Sequence, residues 1–369
     1  MRVVACTVRD FRSYGDARVV LGDGLTLVSG MNGAGKTNLL EAIYFGCTGR
    51  SCRTTNEREI VRFGAGAARV ELEAEADDGR HELSVGFAPG EPKRIRIDSC
   101  PVERLVDAQA RPLVSVFLPD RLELVKGPPS LRRAHIDQFV AALWPARIST
   151  RRAYSQTLAQ RNALIARIRA TGSTRDSLAS WDMQLARHGV ALMADRGAAI
   201  ETVAELFARV GELLGLTGKL GLAYRPRSRA STPEELAAEL ADRVQSDLDR
   251  GFTAHGPHRD ELAFRRDGRD LRAYGSQGQQ RLALLALLLA EREALAAFTG
   301  APPLLLLDDV MSELDADRRQ RLIERLRSSG GQAVITTTDL EHVPGARDAD
   351  VVRIAVVEGG LLQDARAAA

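Results

Sequence analysis

The run Gly30-Met31-Asn32-Gly33-Ala34-Gly35-Lys36-Thr37 constrains this chain more than any other. It matches the phosphate-loop pattern G-x-x-x-x-G-K-[ST] at each fixed position. The apolar run Leu25-Thr26-Leu27-Val28 before it reads as a strand, and Asn38-Leu39-Leu40-Glu41-Ala42-Ile43 after it as the first turns of a helix. A strand feeding a glycine-rich loop that opens a helix aims backbone N–H groups and the helix dipole at one point. Lys36 is expected to reach the β- and γ-phosphates, and the Thr37 hydroxyl to bind Mg²⁺. The expected ligand is a nucleoside triphosphate.

With 369 residues the chain has length for two or three domains and a large core. Its net charge is only +2, and its basic residues are nearly all arginine, with lysine at positions 36, 93, 126 and 219 alone. Cys6, Cys47, Cys52 and Cys100 show neither zinc spacing nor the framework of a secreted domain, so reduced thiols are expected. The amino terminus lacks a secretory apolar region, and Leu282 to Ala290 is too short to span a bilayer. These features exclude a membrane partner and predict a cytoplasmic protein.

Residues 1–125 alternate as a sheet-rich lobe. Strands are predicted over Val3–Val8, Ala17–Leu21, Leu25–Ser29, Ala68–Ala74, Glu82–Phe87 and Arg94–Ile97, with turns at Asp77-Asp78-Gly79 and Pro89-Gly90. Gly127-Pro128-Pro129 ends this pattern. From Leu131 to about Leu214 the period is helical, and Ala186, Val190, Met193, Gly197, Ile200, Ala204, Phe207, Gly211 and Leu214 keep steps of four and three. An earlier helix covers about Arg147 to Arg169, so a helical hairpin is expected, its longer arm roughly 50 Å at 1.5 Å per residue. Thr232-Pro233-Glu234-Glu235 is a capping box opening a further helix that ends before Gly251. Asp267-Gly268 turns a hairpin. The final third alternates: helix Gln277–Phe298, strand Pro303–Leu307, helix Asp315–Ser328, strand Ala333–Thr337, the signature of a parallel sheet.

The strand Leu304-Leu305-Leu306-Leu307 ends in Asp308 and Asp309. Beside the phosphate loop, Asp308 would lie near Mg²⁺, and Asp309 near the γ-phosphate, where a carboxylate orients or deprotonates water. Tyr274-Gly275-Ser276-Gln277-Gly278-Gln279 opens the long helix. Ser276 and Gln279 form a capping box that would start any helix, and the same geometry leaves an exposed helix N-terminus able to take an anion.

Phosphate loop, S-x-G-Q run, acidic strand and the Ser312-Glu313-Leu314-Asp315 loop stand in the order of the ATP-binding-cassette ATPases, which this chain resembles. About 240 residues separate Thr37 from Ser276, which is similar to the SMC/Rad50 branch rather than to transporter subunits. Several blocks resemble the RecF family of recombination mediators. They are Asp10-Phe11-Arg12-Ser13-Tyr14, the run Gly33 to Ile43, Pro119-Asp120-Arg121-Leu122, Val125-Lys126-Gly127-Pro128-Pro129 with Arg132-Arg133, Gln160-Arg161-Asn162-Ala163-Leu164 and Gly256-Pro257-His258-Arg259-Asp260.

The resemblance implies an α/β fold. An ABC-type ATPase head, with a mixed, largely parallel sheet plus an antiparallel β part, would be formed by residues 1–125 and 256–369 and carry an inserted α-helical arm at 126–255. It implies ATP and Mg²⁺ as cofactors. Gly30 to Thr37, Arg12, Ser276, Gly278 and Gln279 would contact nucleotide, Thr37 and Asp308 the metal, and Lys36 and Asp309 would serve catalysis. Two heads would sandwich ATP, the phosphate loop of one facing Ser276 of the other, in an ATP-dependent homodimer. Implied partners are duplex and gapped DNA, RecR, RecO and RecA, in repair, replication and the SOS response. The superfamily's catalytic Glu is replaced by Asp309, and Thr336-Thr337-Thr338-Asp339 lacks the transporter switch histidine, both fitting a slow, DNA-stimulated ATPase that acts as a switch. An SMC-like structural clamp and a transporter ATPase subunit are the alternative readings.

Between Lys126 and Arg187 stand eleven basic and three acidic residues. Composition alone fits a DNA backbone or a solvated helix face equally. The resemblance favours DNA, with Arg132, Arg133, Arg151, Arg152 and Arg161 as candidates. His255, His258 and Arg259 read equally as a structural corner or as a contact to nucleotide or the opposite head.

Overall fold

Alternating buried and exposed side chains build the first of three sheets. In the computed structural model, which describes residues 1–105, 108, 111–118, 122–172, 174–175, 177–357 and 360–363, strands β1 (Arg2–Phe11), β2 (Tyr14–Val20), β4 (Ala68–Ala76), β5 (Gly79–Phe87), β6 (Arg94–Ile97) and β7 (Cys100–Pro101) form an antiparallel sheet in the order β2-β1-β4-β5-β6-β7. Strand β4 shows the pattern: Ala68, Val70, Leu72 and Ala74 point inward, and Arg69 and Glu73 outward.

The second sheet contains β3 (Leu25–Ser29), β8 (Val114–Phe117), β12 (Leu304–Leu307), β13 (Ala333–Thr337), β14 (Val352–Val357) and β15 (Gly360–Gln363), ordered β15-β14-β3-β13-β12-β8. Every pairing is parallel except β14 with β15. All four leucines of β12 are buried, as befits a strand covered on both faces. Helix α1 (Lys36–Thr48) joins the two sheets into one core. Its Leu39, Leu40, Ile43 and Phe45 pack in the same cluster as Val70, Leu72 and Val85 of the first sheet and Val28, Leu306 and Val334 of the second. Strands β8 and β14 were not predicted.

These sheets belong to one compact unit, residues 1–121, 213–215 and 292–369; residues 122–212 and 216–291 form the other. The second unit holds α2 (Glu123–Lys126), α3 (Pro129–Leu143), α4 (Ile148–Thr171), most of α5 (Leu178–Leu213), α6 (Pro233–Ala241), α7 (Val244–Arg250) and α8 (Leu271–Tyr274). Its small antiparallel sheet is β9 (Leu220–Arg225), β10 (Glu261–Arg266) and β11 (Arg269–Asp270), in the order β11-β10-β9. Helices α4 and α5 pair antiparallel, with Tyr154 against Leu185 and Leu192 and, further along, Leu164 and Ile168 against Leu178. Leu236 and Leu240 of α6 and Leu248 of α7 complete these clusters, so the hairpin is covered by neighbours within its unit.

The second expected boundary moves. Residues 256–291 were assigned to the head, yet they belong to the second unit because β10 pairs with β9 along its whole length. The capping box at Thr232 and Glu235 forms as expected, but the predicted single helix is interrupted at Asp242–Arg243. The long helix α9 (Gln277–Thr299) and α10 (Ala316–Ser328, capped by Asp315) lie where the sequence placed them. Pro119, Asp120 and Arg121 lie outside the described residues.

Candidate nucleotide site

The phosphate loop leaves the carboxyl end of β3, a central strand of the parallel sheet, where α/β folds place their ligands. Two of its glycines are there for space. A Cβ on Gly30 would lie 2.5 Å from the Val356 carbonyl oxygen, and one on Gly35 (φ 115°) 2.9 Å from Ser13 Oγ. Gly35 caps α1 without a side chain, so the first N–H groups of the helix keep no side-chain acceptor. The Tyr14 hydroxyl donates to the Gly35 carbonyl at 3.0 Å and fixes the turn from behind.

Lys36 is nearly buried and curls over its own loop, Nζ donating to the carbonyls of Gly30 (2.8 Å) and Met31 (3.0 Å). Burial pushes its pKa down, while Asp309 and Asp308 pull the other way. Thr37 Oγ1 lies 2.9 and 3.0 Å from the two carboxylate oxygens of Asp308. Strand β13, threaded between β3 and β12, brings Thr336 to the same place: its hydroxyl donates to Asp308 Oδ1 at 2.7 Å and accepts from the Asp309 N–H at 2.9 Å. Burial raises the Asp308 pKa, the two threonine hydroxyls hold it back, and Asp309 adds to the rise.

Asp309 adopts a left-handed conformation (φ 47°), which Asp tolerates better than most residues. Ser312 Oγ donates to its Oδ2 at 3.0 Å; Oδ1 is buried and accepts no hydrogen bond among the described residues. The set fits a metal–triphosphate ligand. A hydroxyl and a carboxylate touch, a second carboxylate has a free buried acceptor, and a lysine and a helix N-terminus without a side-chain cap stand at the same loop. No group of three or more His, Cys, Asp or Glu able to hold a metal occurs among the described residues. Mg²⁺ suits such a sparse site, because it keeps waters and phosphate oxygens as its remaining ligands.

Arg12 stands behind the loop. Its Nε and Nη2 both donate at 2.8 Å to the fully buried Glu41 of α1, and Nη1 to the Glu59 carbonyl at 2.7 Å. Ser51 also donates to Glu41, at 2.5 Å. Tyr14, Glu41 and Thr336 were not singled out from the sequence as site residues. The adjacency of Thr336 depends on strand order, which no local pattern reveals.

In the second unit, Ser276 caps α9. Its Oγ accepts from Gln279 N at 3.3 Å, and Gln279 Oε1 accepts from Ser276 N at 3.0 Å. Ser276 and Gly278 are exposed there and Gln279 is partly so.

Two of the five DNA candidates are corrected. Arg132 is buried and paired with Glu261 at 2.6 and 3.0 Å, its Nη1 closing on the Gly127 carbonyl at 2.9 Å. Arg161 is wholly buried and donates to Asp182 (2.6 Å), Asp247 (2.7 Å) and Thr253 (2.7 Å). Neither guanidinium can reach a backbone phosphate. Arg133 is partly exposed and donates to the Asp260 carbonyl at 2.8 Å; Arg151 is exposed and 3.1 Å from Asp137; Arg152 is exposed. His255 bonds Glu239, and Arg259 lies 5.3 Å over the Phe252 ring.

An AAA domain family model matches residues 5–137. The DNA replication and repair protein RecF of Anaeromyxobacter sp. (strain Fw109-5) is 40% identical over 375 residues, covering 98% of this chain and 99% of that protein. This chain belongs to the RecF family. RecF of Myxococcus xanthus (strain DK1622) is 36% identical over 97% of the chain and 96% of its own length. Among solved structures, the recombination mediator protein RecF-ATP in the RecFOR pathway superposes with a TM-score of 0.87 at 28% identity, covering 99% of this chain and 98% of that one. The Smc head of Pyrococcus furiosus bound to the C-terminal domain of ScpA gives 0.58 at 17% identity, over 98% of this chain and 96% of that one, and shows the fold alone. The fold is the ABC-type ATPase head of the family, with its antiparallel β part and helical insertion. Among the described residues no helix is long and apolar enough to cross a membrane.

Proposed function

We propose that this chain is an ATP-driven, DNA-binding switch. ATP with Mg²⁺ binds at Gly30 to Thr37, closes two heads on duplex or gapped DNA, and slow hydrolysis reopens them. In the cytoplasm this cycle serves RecA loading at single-strand gaps together with RecR and RecO. The observation that carries the reading is the contact of Thr37 with Asp308, supported by relatives that bear the RecF name and by a structural neighbour described with ATP.

Each residue has a task. The helix N-terminus and Lys36 hold the phosphates, Lys36 exchanging two neutral carbonyls for an anion. Thr37 and Asp308 hold the metal, which when bound neutralises developing phosphate charge. Asp309, aimed by Ser312 and Thr336, orients the attacking water. Arg12, after bonding Glu41 and Glu59, keeps two of its five N–H donors, which would serve the nucleotide. Ser276, Gly278 and Gln279 of a second copy cap the other side. Their exposure and the lack of any lysine in that cap favour a trans role over a complete site in one subunit.

The test is duplex DNA affinity by fluorescence anisotropy, with and without ATP, for wild type and Lys36→Ala. ATP should tighten wild-type binding and leave Lys36→Ala unchanged, the variant losing nucleotide affinity by roughly 30-fold or more, as for a lost charge-assisted bond of ~2 kcal/mol. Equal nucleotide affinity of the two proteins would contradict the assignment of the loop.

A further inference from the structure

Three stretches singled out in the sequence have no place in the nucleotide site: Arg132-Arg133, Gln160-Arg161-Asn162 and Gly256 to Asp260. Within the second unit they meet at one open cleft of about 390 Å³, walled by α3, α4 and α5. Behind it lies a rigid, satisfied frame. Arg196 grips Asp137 with two bonds (2.8 and 3.1 Å) and reaches the Pro257 carbonyl (2.8 Å) and Asp260 (3.1 Å), and Asp260 takes the Tyr224 hydroxyl and the Arg227 N–H. The buried pairs of Arg161 tie α4 to α5 and α7.

The face turned to the cleft is not neutral. Arg133, Arg151 and Arg196 line it against one aspartate, Asp137, which already serves Arg196 and Arg151. Arg133 bonds only the uncharged Asp260 carbonyl and has no carboxylate at ion-pair distance among the described residues. Burial and the nearby Arg196 push its pKa down, a cost an anion would relieve. His258 adds no charge. Its Nε2 faces the Thr253 carbonyl (2.9 Å) and so carries the proton, its Nδ1 accepts from Tyr154 (2.7 Å), and burial holds its pKa at about 4. Asn162 Oδ1 is taken by Thr253, which leaves its Nδ2 as a donor.

We propose that this cleft binds a phosphodiester group of the DNA backbone, with Arg133 as anchoring cation and Arg151 and Asn162 as flanking donors. This rests on the DNA-binding reading above and assigns its site. Arginine, amide and hydroxyl donors without a base-edge pattern are the means by which proteins hold phosphates and sugars rather than read bases. The apolar floor formed by Leu158 and Leu192 suits a sugar.

The test uses the full chain with ATP, titrated with two unrelated duplexes between low and moderate salt. Arg133→Gln should weaken binding about tenfold on both duplexes and lower the salt slope by about one. Ser155→Asp adds a carboxylate at the exposed wall without removing any of these bonds, and should weaken binding similarly even if Arg133→Gln folds poorly. Nucleotide affinity should match wild type in both. Wild-type DNA affinity and slope in a folded Ser155→Asp protein would overturn the cleft and leave the DNA-binding reading standing. Absence of duplex binding by wild type itself would overturn both.

Discussion

Thr37 and Asp308 are 271 residues apart in the chain, yet the threonine hydroxyl rests 2.9 Å from the nearer carboxylate oxygen. Parallel pairing of β3 with β13 and of β13 with β12 makes the contact, because all three strands end at the same edge of the sheet. The loop and the acidic strand are therefore one site, and separate consequences follow for its two carboxylates.

Asp309→Asn keeps the shape and the left-handed backbone, since Asn also tolerates φ near 47°. Without the carboxylate, hydrolysis should fall by about 10²–10⁴, the usual worth of a general base or water-orienting group. ATP affinity should stay within about twofold, less than 0.5 kcal/mol. Steady-state turnover and nucleotide titration check both, and unchanged turnover would remove Asp309 from the reaction.

Asp308 carries a stability penalty. Its folded pKa is raised above 3.8, so the folded state binds the proton more tightly than the unfolded chain. The penalty is therefore full at pH above the folded value, fades as pH falls through it, and is absent below 3.8. Asp308→Asn should raise the melting temperature of the nucleotide-free protein at neutral pH, a gain that shrinks in acid, while abolishing Mg²⁺-dependent hydrolysis. A lower melting temperature at neutral pH would mean that the bonds from Thr37 and Thr336 outweigh desolvation.

Ser276→Arg removes an N-cap worth about 1 kcal/mol and puts a bulky cation where a second copy's phosphate should sit. ATP binding should persist and ATP-dependent self-association should vanish, with Ser276→Ala as the comparison that loses the cap and the hydroxyl without adding a cation, and so weakens association less. Normal association of Ser276→Arg by light scattering would leave the serine a helix cap and nothing more.

Arg161→Ala strands Asp182 and Asp247, both buried. Breaking such a network costs about 3–5 kcal/mol, to be read in urea unfolding. Lost DNA affinity at unchanged stability would return Arg161 to the DNA surface.

Arg161 also shows what sequence reading misses. Eleven basic residues against three acidic ones fitted a DNA backbone or a solvated helix face equally, and both readings left these arginines exposed, but the partners of Arg132 and Arg161 include Glu261 and Asp247, far along the chain. Local charge counting sees only neighbours. Short-range signals fared better. The phosphate loop, the cap at Thr232 and the strands β3 and β13 needed only motif, capping chemistry and apolar runs, and they stand where expected. Strand β8 has four residues and no alternation, and β14, although its buried and less buried side chains alternate, carries no motif; both take their place only from pairing with β12 and β3. Thr336 was invisible for the same reason: its place beside Asp308 comes from β13 lying between β3 and β12.

Sedimentation velocity of the full chain, alone, with ATP and Mg²⁺, and with both plus duplex DNA, tests the switch most directly. A monomer without nucleotide, a dimer with ATP and a dimer co-sedimenting with DNA are expected, the dimer being lost in Lys36→Ala and Ser276→Arg. A monomer in saturating ATP and DNA would contradict the shared-site account.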